Sequence, residues 1–157
     1  MAELFEIGEL VKVAVEDERA GVAFYGKLAE RPGRLQDTFT ELEKAEKYHQ
    51  QRFEGLLTEV GGLKTHEEYD GQYMAYLRAM TGSRAFPDPQ TAAALAERCG
   101  DDGEALRLAN RFERDTLILL NEMRGMVPPK YSHVVDEIVA EEREHLVTLA
   151  EAQKLLD

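Results

Sequence analysis

Apolar residues recur three and four apart along four long stretches of the chain, and each stretch is interrupted near its middle by an acidic residue. The first reads Leu4, Ile7, Val11, Ala14, Glu18, Gly21, Tyr25, Leu28, and the second Phe39, Leu42, Glu46, His49, Phe53, Leu56, Val60. The third reads Leu106, Ala109, Glu113, Thr116, Leu120, Met123, Val127, and the fourth Val135, Ile138, Glu142, His145, Leu149, Ala152, Leu156. Such spacing holds each set on one side of an α-helix, facing whatever the helix packs against. Stop signals bound the helices. The first is expected over residues 3–30, before Arg31-Pro32-Gly33, and the second over 35–60, before Gly61-Gly62. The third starts at Asp101 or Asp102, either of which can cap it, and runs to Val127 before Pro128-Pro129; the fourth covers 131–157. The short first connection makes helices one and two antiparallel neighbours.

Residues 61–100 are too many for a structureless loop. Short helices are expected over 69–80, with Tyr73, Tyr76, Leu77 and Met80 on one side, and over 90–99. The pattern as a whole predicts an all-α fold of two helical hairpins, in one domain spanning 1–157.

The interruptions carry the chemistry. Glu46-Lys47-Tyr48-His49 and Glu142-Arg143-Glu144-His145 are two copies of Glu-x-x-His, which places a carboxylate and an imidazole one turn apart on the same face. Either copy alone is a weak signal, since such pairs are common on exposed helices. Both lie on apolar stripes, however, and Glu18 and Glu113 occupy the matching places on the other two helices. No Lys or Arg lies on any stripe to neutralise these four carboxylates. An unpaired buried carboxylate costs several kcal/mol or takes up a proton, and crowding like charges adds to the cost. Two divalent cations would cancel the formal charge, and Glu plus Glu-x-x-His, twice over, is the ligand set of carboxylate-bridged di-metal helical bundles. Glu46 follows Glu18 by 28 positions and Glu142 follows Glu113 by 29, so each hairpin supplies half a site.

Composition narrows the partners. The net charge of −12 argues against a nucleic-acid binder. The single cysteine, Cys99, leaves no disulfide and no cysteine-pair metal site. No apolar run is long enough to span a bilayer and the N-terminus does not read as a signal peptide, so a cytoplasmic location is expected. His66 and His133 lie off the stripes and are expected on the surface, as are Glu43, Glu141 and Glu144; Glu43, one turn before Glu46, is the candidate for an extra ligand.

With these residues in hand, the chain resembles the ferritin-like superfamily and, within it, the rubrerythrin-like di-iron proteins without a rubredoxin domain. The run from Glu18 to Tyr25 is similar to that family's metal glutamate followed seven residues later by a tyrosine. The resemblance implies a ferritin-like four-helix bundle whose long connection crosses it. It implies two iron ions, with Glu18 and Glu113 as terminal ligands, Glu46 and Glu142 bridging, and His49 and His145 completing one ion each. Manganese and zinc also suit such ligands. Tyr25 would be a hydrogen-bond donor beside the site, its repeat counterpart being Leu120. Two departures stand out. The third helix has Ala109, Asn110, Thr116 and Leu117 where rubrerythrins carry a further carboxylate, and Lys47 takes the place of the haem-ligating methionine of bacterioferritins, so no haem is expected.

The implied function is a di-iron oxidoreductase acting on hydrogen peroxide or dioxygen, fed by a separate electron-donor protein or small reductant and assembled as a homo-oligomer, a dimer being favoured. The alternatives are a ferroxidase for iron storage or delivery, and a metal-stabilised interaction module with no turnover.

Overall fold

The structure, a computed structural model, describes residues 6–65 and 69–157. Leu4, the expected helix start at residue 3, and His66 lie outside the described residues. Among the described residues six α-helices follow in order: α1 (Ile7–Ala29), α2 (Gln36–Val60), α3 (Gly71–Gly82), α4 (Pro89–Arg98), α5 (Asp102–Arg124) and α6 (Ser132–Leu156), the last preceded by a 3-10 turn, Pro129–Tyr131. No described helix is long and apolar enough to cross a membrane.

Local chemistry sets the boundaries. Glu6 is extended and pairs with Lys64 in an isolated antiparallel bridge, while Ile7 donates its N–H to the Leu63 carbonyl at 3.0 Å, so α1 begins at Ile7. Just inside that start, a Cβ on Gly8 would lie 2.5 Å from the Gly61 carbonyl oxygen, so only glycine lets the two backbones meet there. Three of the helix starts carry aspartate caps. Asp70 accepts from the Tyr73 N–H, Asp88 from that of Thr91 and Asp101 from that of Glu104, each such cap contributing about 1 kcal/mol. The third long helix ends at Arg124, three residues before the expected Val127, because Met126 and Val127 both turn back to the Met123 carbonyl.

The core falls into two apolar clusters. One gathers Val11, Phe53, Leu120 and Val135 with Met74 and Leu77 of α3; the other gathers Phe24, Phe39, Leu106 and Leu149 with Ala92 and Ala96 of α4. Burying each large side chain contributes roughly 1.5–3 kcal/mol. The first cluster draws on the N-terminal halves of α1 and α6 and the C-terminal halves of α2 and α5, and the second on the opposite halves. Each hairpin is therefore antiparallel, and α1 runs parallel to α6. The connection from α2 to α5 starts at one end of the bundle and finishes at the other, with α3 in the first cluster and α4, packed on α1, in the second. It crosses the bundle as the resemblance implied.

Within that crossover Tyr73, Leu77 and Met80 pack on the first cluster as expected, and Tyr76 does not. Met74 and Leu77 form the buried face of α3, Tyr76 is exposed, and Tyr73 and Tyr76 both donate to Glu122 of α5. Their hydroxyls tether α3 to the bundle.

Candidate metal centre

Between the two apolar clusters lies a polar layer. Glu18 of α1, Glu46 and His49 of α2, Glu113 of α5 and Glu142 and His145 of α6 are all buried, and the most accessible of them, His145, is only 7% exposed. Their positions near the helix midpoints bring them to one height in the bundle.

The six form two overlapping groups. Ligand-type atoms of Glu18, Glu46, His49 and Glu142 lie within 4.8 Å of one another, and so do those of Glu46, Glu113, Glu142 and His145. The two carboxylates common to both groups straddle them. Glu142 places Oε1 2.9 Å from Nδ1 of His49 and Oε2 2.9 Å from Nδ1 of His145. Glu46 does likewise at longer range, Oε2 3.9 Å from the first histidine and Oε1 3.4 Å from the second. Glu18 faces only His49, at 3.8 Å, and Glu113 only His145, at 3.5 Å. The histidine rings lie nearly parallel with centroids 5.4 Å apart.

These groups do not satisfy one another. Both oxygens of Glu18, Glu46 and Glu142, Oε2 of Glu113 and Nδ1 of both histidines are buried with no hydrogen-bond partner. Leaving one such atom unmet costs about 1–3 kcal/mol, more if it is charged, so a cluster of them is stable only with something bound or with protons taken up. Four carboxylates and two imidazoles, converging with no Lys or Arg paired to them among the described residues, fit a pair of divalent metal ions.

Without metal the layer holds protons. Burial and the neighbouring carboxylates push Glu18, Glu46 and Glu113 well above the usual carboxylate range. Burial opposes charging of His49, but Glu142, Glu46 and Glu141 outweigh it and raise the imidazole to about 9. His145 is raised further by Glu113, Glu142 and Glu46 against the same opposition. Burial would raise Glu142 too, yet its two histidines and Glu113 hold it well below the usual range.

Around the layer, the Tyr25 hydroxyl, fully buried, donates to Oε1 of Glu113 and leaves Oε2 for the cluster. Burial raises the tyrosine well above its ordinary value, so it keeps its proton. At Gly21 a Cβ would stand 3.1 Å from the carboxyl carbon of Glu46 and 2.8 Å from Cζ of Phe112, so glycine makes room for the carboxylate.

Two residues escaped the sequence reading. Asp17 is buried beside Glu18, accepts from the Thr116 hydroxyl at 2.6 Å and lies 3.7 Å from Arg84 of the crossover. Burial raises it to about 7, against the pull of Thr116 and Arg84. It sits one position off the stripe, and it is buried because the crossover covers a second face of α1. Glu141 was expected on a solvated face; instead it reaches across to α2, its Oε2 2.6 Å from Nε2 of His49. Glu43 pairs with Lys47 and lies outside both groups. His133 is exposed, as expected.

Solved structures share this architecture. A Thermotoga maritima protein, described as a candidate ferritin-like diiron-carboxylate protein, superposes with a TM-score of 0.70 over 97% of each chain, at 25% identity. The fold is ferritin-like. A DUF305 fragment from Deinococcus radiodurans shares the fold, with a TM-score of 0.67 over 94% of each chain at 15% identity. No family model and no curated protein matches the sequence. The buried Glu/His layer, in a ferritin-like bundle, fits a di-iron site.

Proposed function

We propose that this protein is a di-iron oxidoreductase that reduces hydrogen peroxide or dioxygen, drawing electrons from a separate donor protein or small reductant. The observation that carries the reading is the straddling of the two histidines by Glu46 and Glu142, each with one oxygen toward either side. Shared carboxylates of this kind hold two cations close together, while Glu18 with His49 and Glu113 with His145 complete one position each. A ferrous pair held by these six residues would supply two electrons, one from each ion, which with two protons take one hydrogen peroxide to two waters. The description of the Thermotoga maritima neighbour as diiron-carboxylate supports the choice of iron.

The chain's own residues do the rest. Apolar clusters above and below the layer exclude bulk water, which strengthens every electrostatic contact inside it. Tyr25 holds Glu113 in one orientation through Oε1. Asp17, bonded to Thr116, ties α1 to α5 at the height of the site.

Metal analysis of protein from unsupplemented cells, followed by anaerobic addition of peroxide to the reduced sample, tests the reading. Two irons per chain, oxidised stoichiometrically by peroxide, are expected. Oxidation of many ferrous ions per chain would favour the ferroxidase alternative, and failure to bind metal even after reconstitution would overturn the di-iron reading.

A further inference from the structure

We propose that Glu141 is a positioning residue that fixes the tautomer and ring orientation of His49, making the two cation positions unequal. The inference rests on the di-metal reading above and concerns one residue outside the six.

His49 is fully buried, whereas the Glu141 side chain is about one-third exposed at 36% and approaches from the neighbouring helix, Oε2 to Nε2 at 2.6 Å. With the carboxylate oxygen accepting, the 2.6 Å contact assigns the proton to Nε2, which donates it. In the neutral ring, Nδ1 is then a bare lone pair. That atom faces Glu142, Glu18 and Glu46 at 2.9, 3.8 and 3.9 Å. Without Glu141 a neutral imidazole could place its proton on Nδ1, where a cation must bind, or rotate its ring edge out of the cluster. A carboxylate behind a metal-binding histidine suppresses both and strengthens the ring as a donor.

The other half lacks this support. The residue before Glu142 is Glu141, but the residue before Glu46 in the repeat is Ala45, which has no carboxylate to offer. Among the described residues His145 makes its close carboxylate approaches through Nδ1 alone, and its ring is 9% exposed. The position formed by Glu18, Glu46, His49 and Glu142 is therefore the better prepared and fills first.

Anaerobic titration of the full chain with Co(II) tests this, read by calorimetry and by visible absorbance. Wild type should bind two ions with distinct constants. Glu141→Ala should weaken the tighter one about 10- to 100-fold and leave the other unchanged. Glu141→Gln should lose less, because its amide oxygen still accepts from Nε2. Glu144→Ala, which removes the same charge from an exposed place on α6, should leave both constants near wild type. In proton NMR of the Co(II)-loaded protein, one shifted imidazole N–H should be protected from solvent exchange in wild type and lost in Glu141→Ala. The proposal is overturned if Glu141→Ala titrates like wild type with that signal intact, or weakens both sites equally as a general charge effect would. A wild-type chain that takes up no Co(II) would instead defeat the di-metal reading, and this inference with it.

Discussion

Replacing Tyr25 by phenylalanine removes one oxygen from a fully buried ring and leaves its shape among Phe24, Phe39 and Phe112 unchanged. No cavity of consequence opens, so the measured effect is that of the hydroxyl. Its loss leaves Oε1 of Glu113 without a donor, in a site no water reaches directly. A hydrogen bond to a charged group contributes about 1.5–3 kcal/mol, so destabilisation should be about 2 kcal/mol. For a chain of this size that lowers Tm by roughly 4–8 °C. The atom of Glu113 that faces His145 is Oε2, at 3.5 Å, so the variant should still bind two metal ions per chain. Urea unfolding of the metal-loaded variant, followed by circular dichroism and paired with metal analysis, reads both quantities. A stability change under about 0.5 kcal/mol, small enough for an ordinary surface substitution, would mean that Glu113 does not depend on Tyr25. Loss of one metal would mean that the hydroxyl acts on the metal-facing oxygen.

Glu46→Ala and Glu142→Ala should each abolish binding of both metals, because each residue faces both histidines; retention of two ions per chain by elemental analysis would refute the sharing. Gly21→Ala, mid-helix, would ordinarily stabilise by about 1 kcal/mol, but the new methyl meets Phe112 and Glu46, and overpacking should turn this into a net loss of about 1–2 kcal/mol visible in thermal melts. The metal-free protein should lose stability as pH rises from 5 to 9. The raised values of Glu18, Glu46 and Glu113 favour the fold fully below about 4.5, the ordinary glutamate value, and His49 loses its contribution between about 6.5 and 9. Glu142, held low, is already ionised in both states above pH 5 and adds no slope. Metal must displace the same protons, so its stabilisation should grow over that range; melts with and without chelator that stay parallel across pH would contradict the protonated layer.

Helical periodicity is a local property, and it determined a good deal here. A residue's spacing from its apolar neighbours says which face it occupies, and its distance from the helix ends says at what height it lies. Those two coordinates were enough to place Glu18, Glu46, His49, Glu113, Glu142 and His145 inward and level, and the short connection at Arg31-Pro32-Gly33 made the first hairpin antiparallel. What lies beside a helix is decided by its neighbours. Asp17 is one position off the stripe of α1, and it is buried only because Arg84 and the crossover close over that side. Glu141 lies on what reads as a solvated face of α6, and only the packing of α6 against α2 brings it to Nε2 of His49. Which oxygen of Glu142 turns to which histidine, and whether Tyr73 and Tyr76 are spent on Glu122 or left for a partner, depend on side chains from helices far apart in the chain. Spacing along one helix holds no information about that lateral register, because it is set by how the bundle closes.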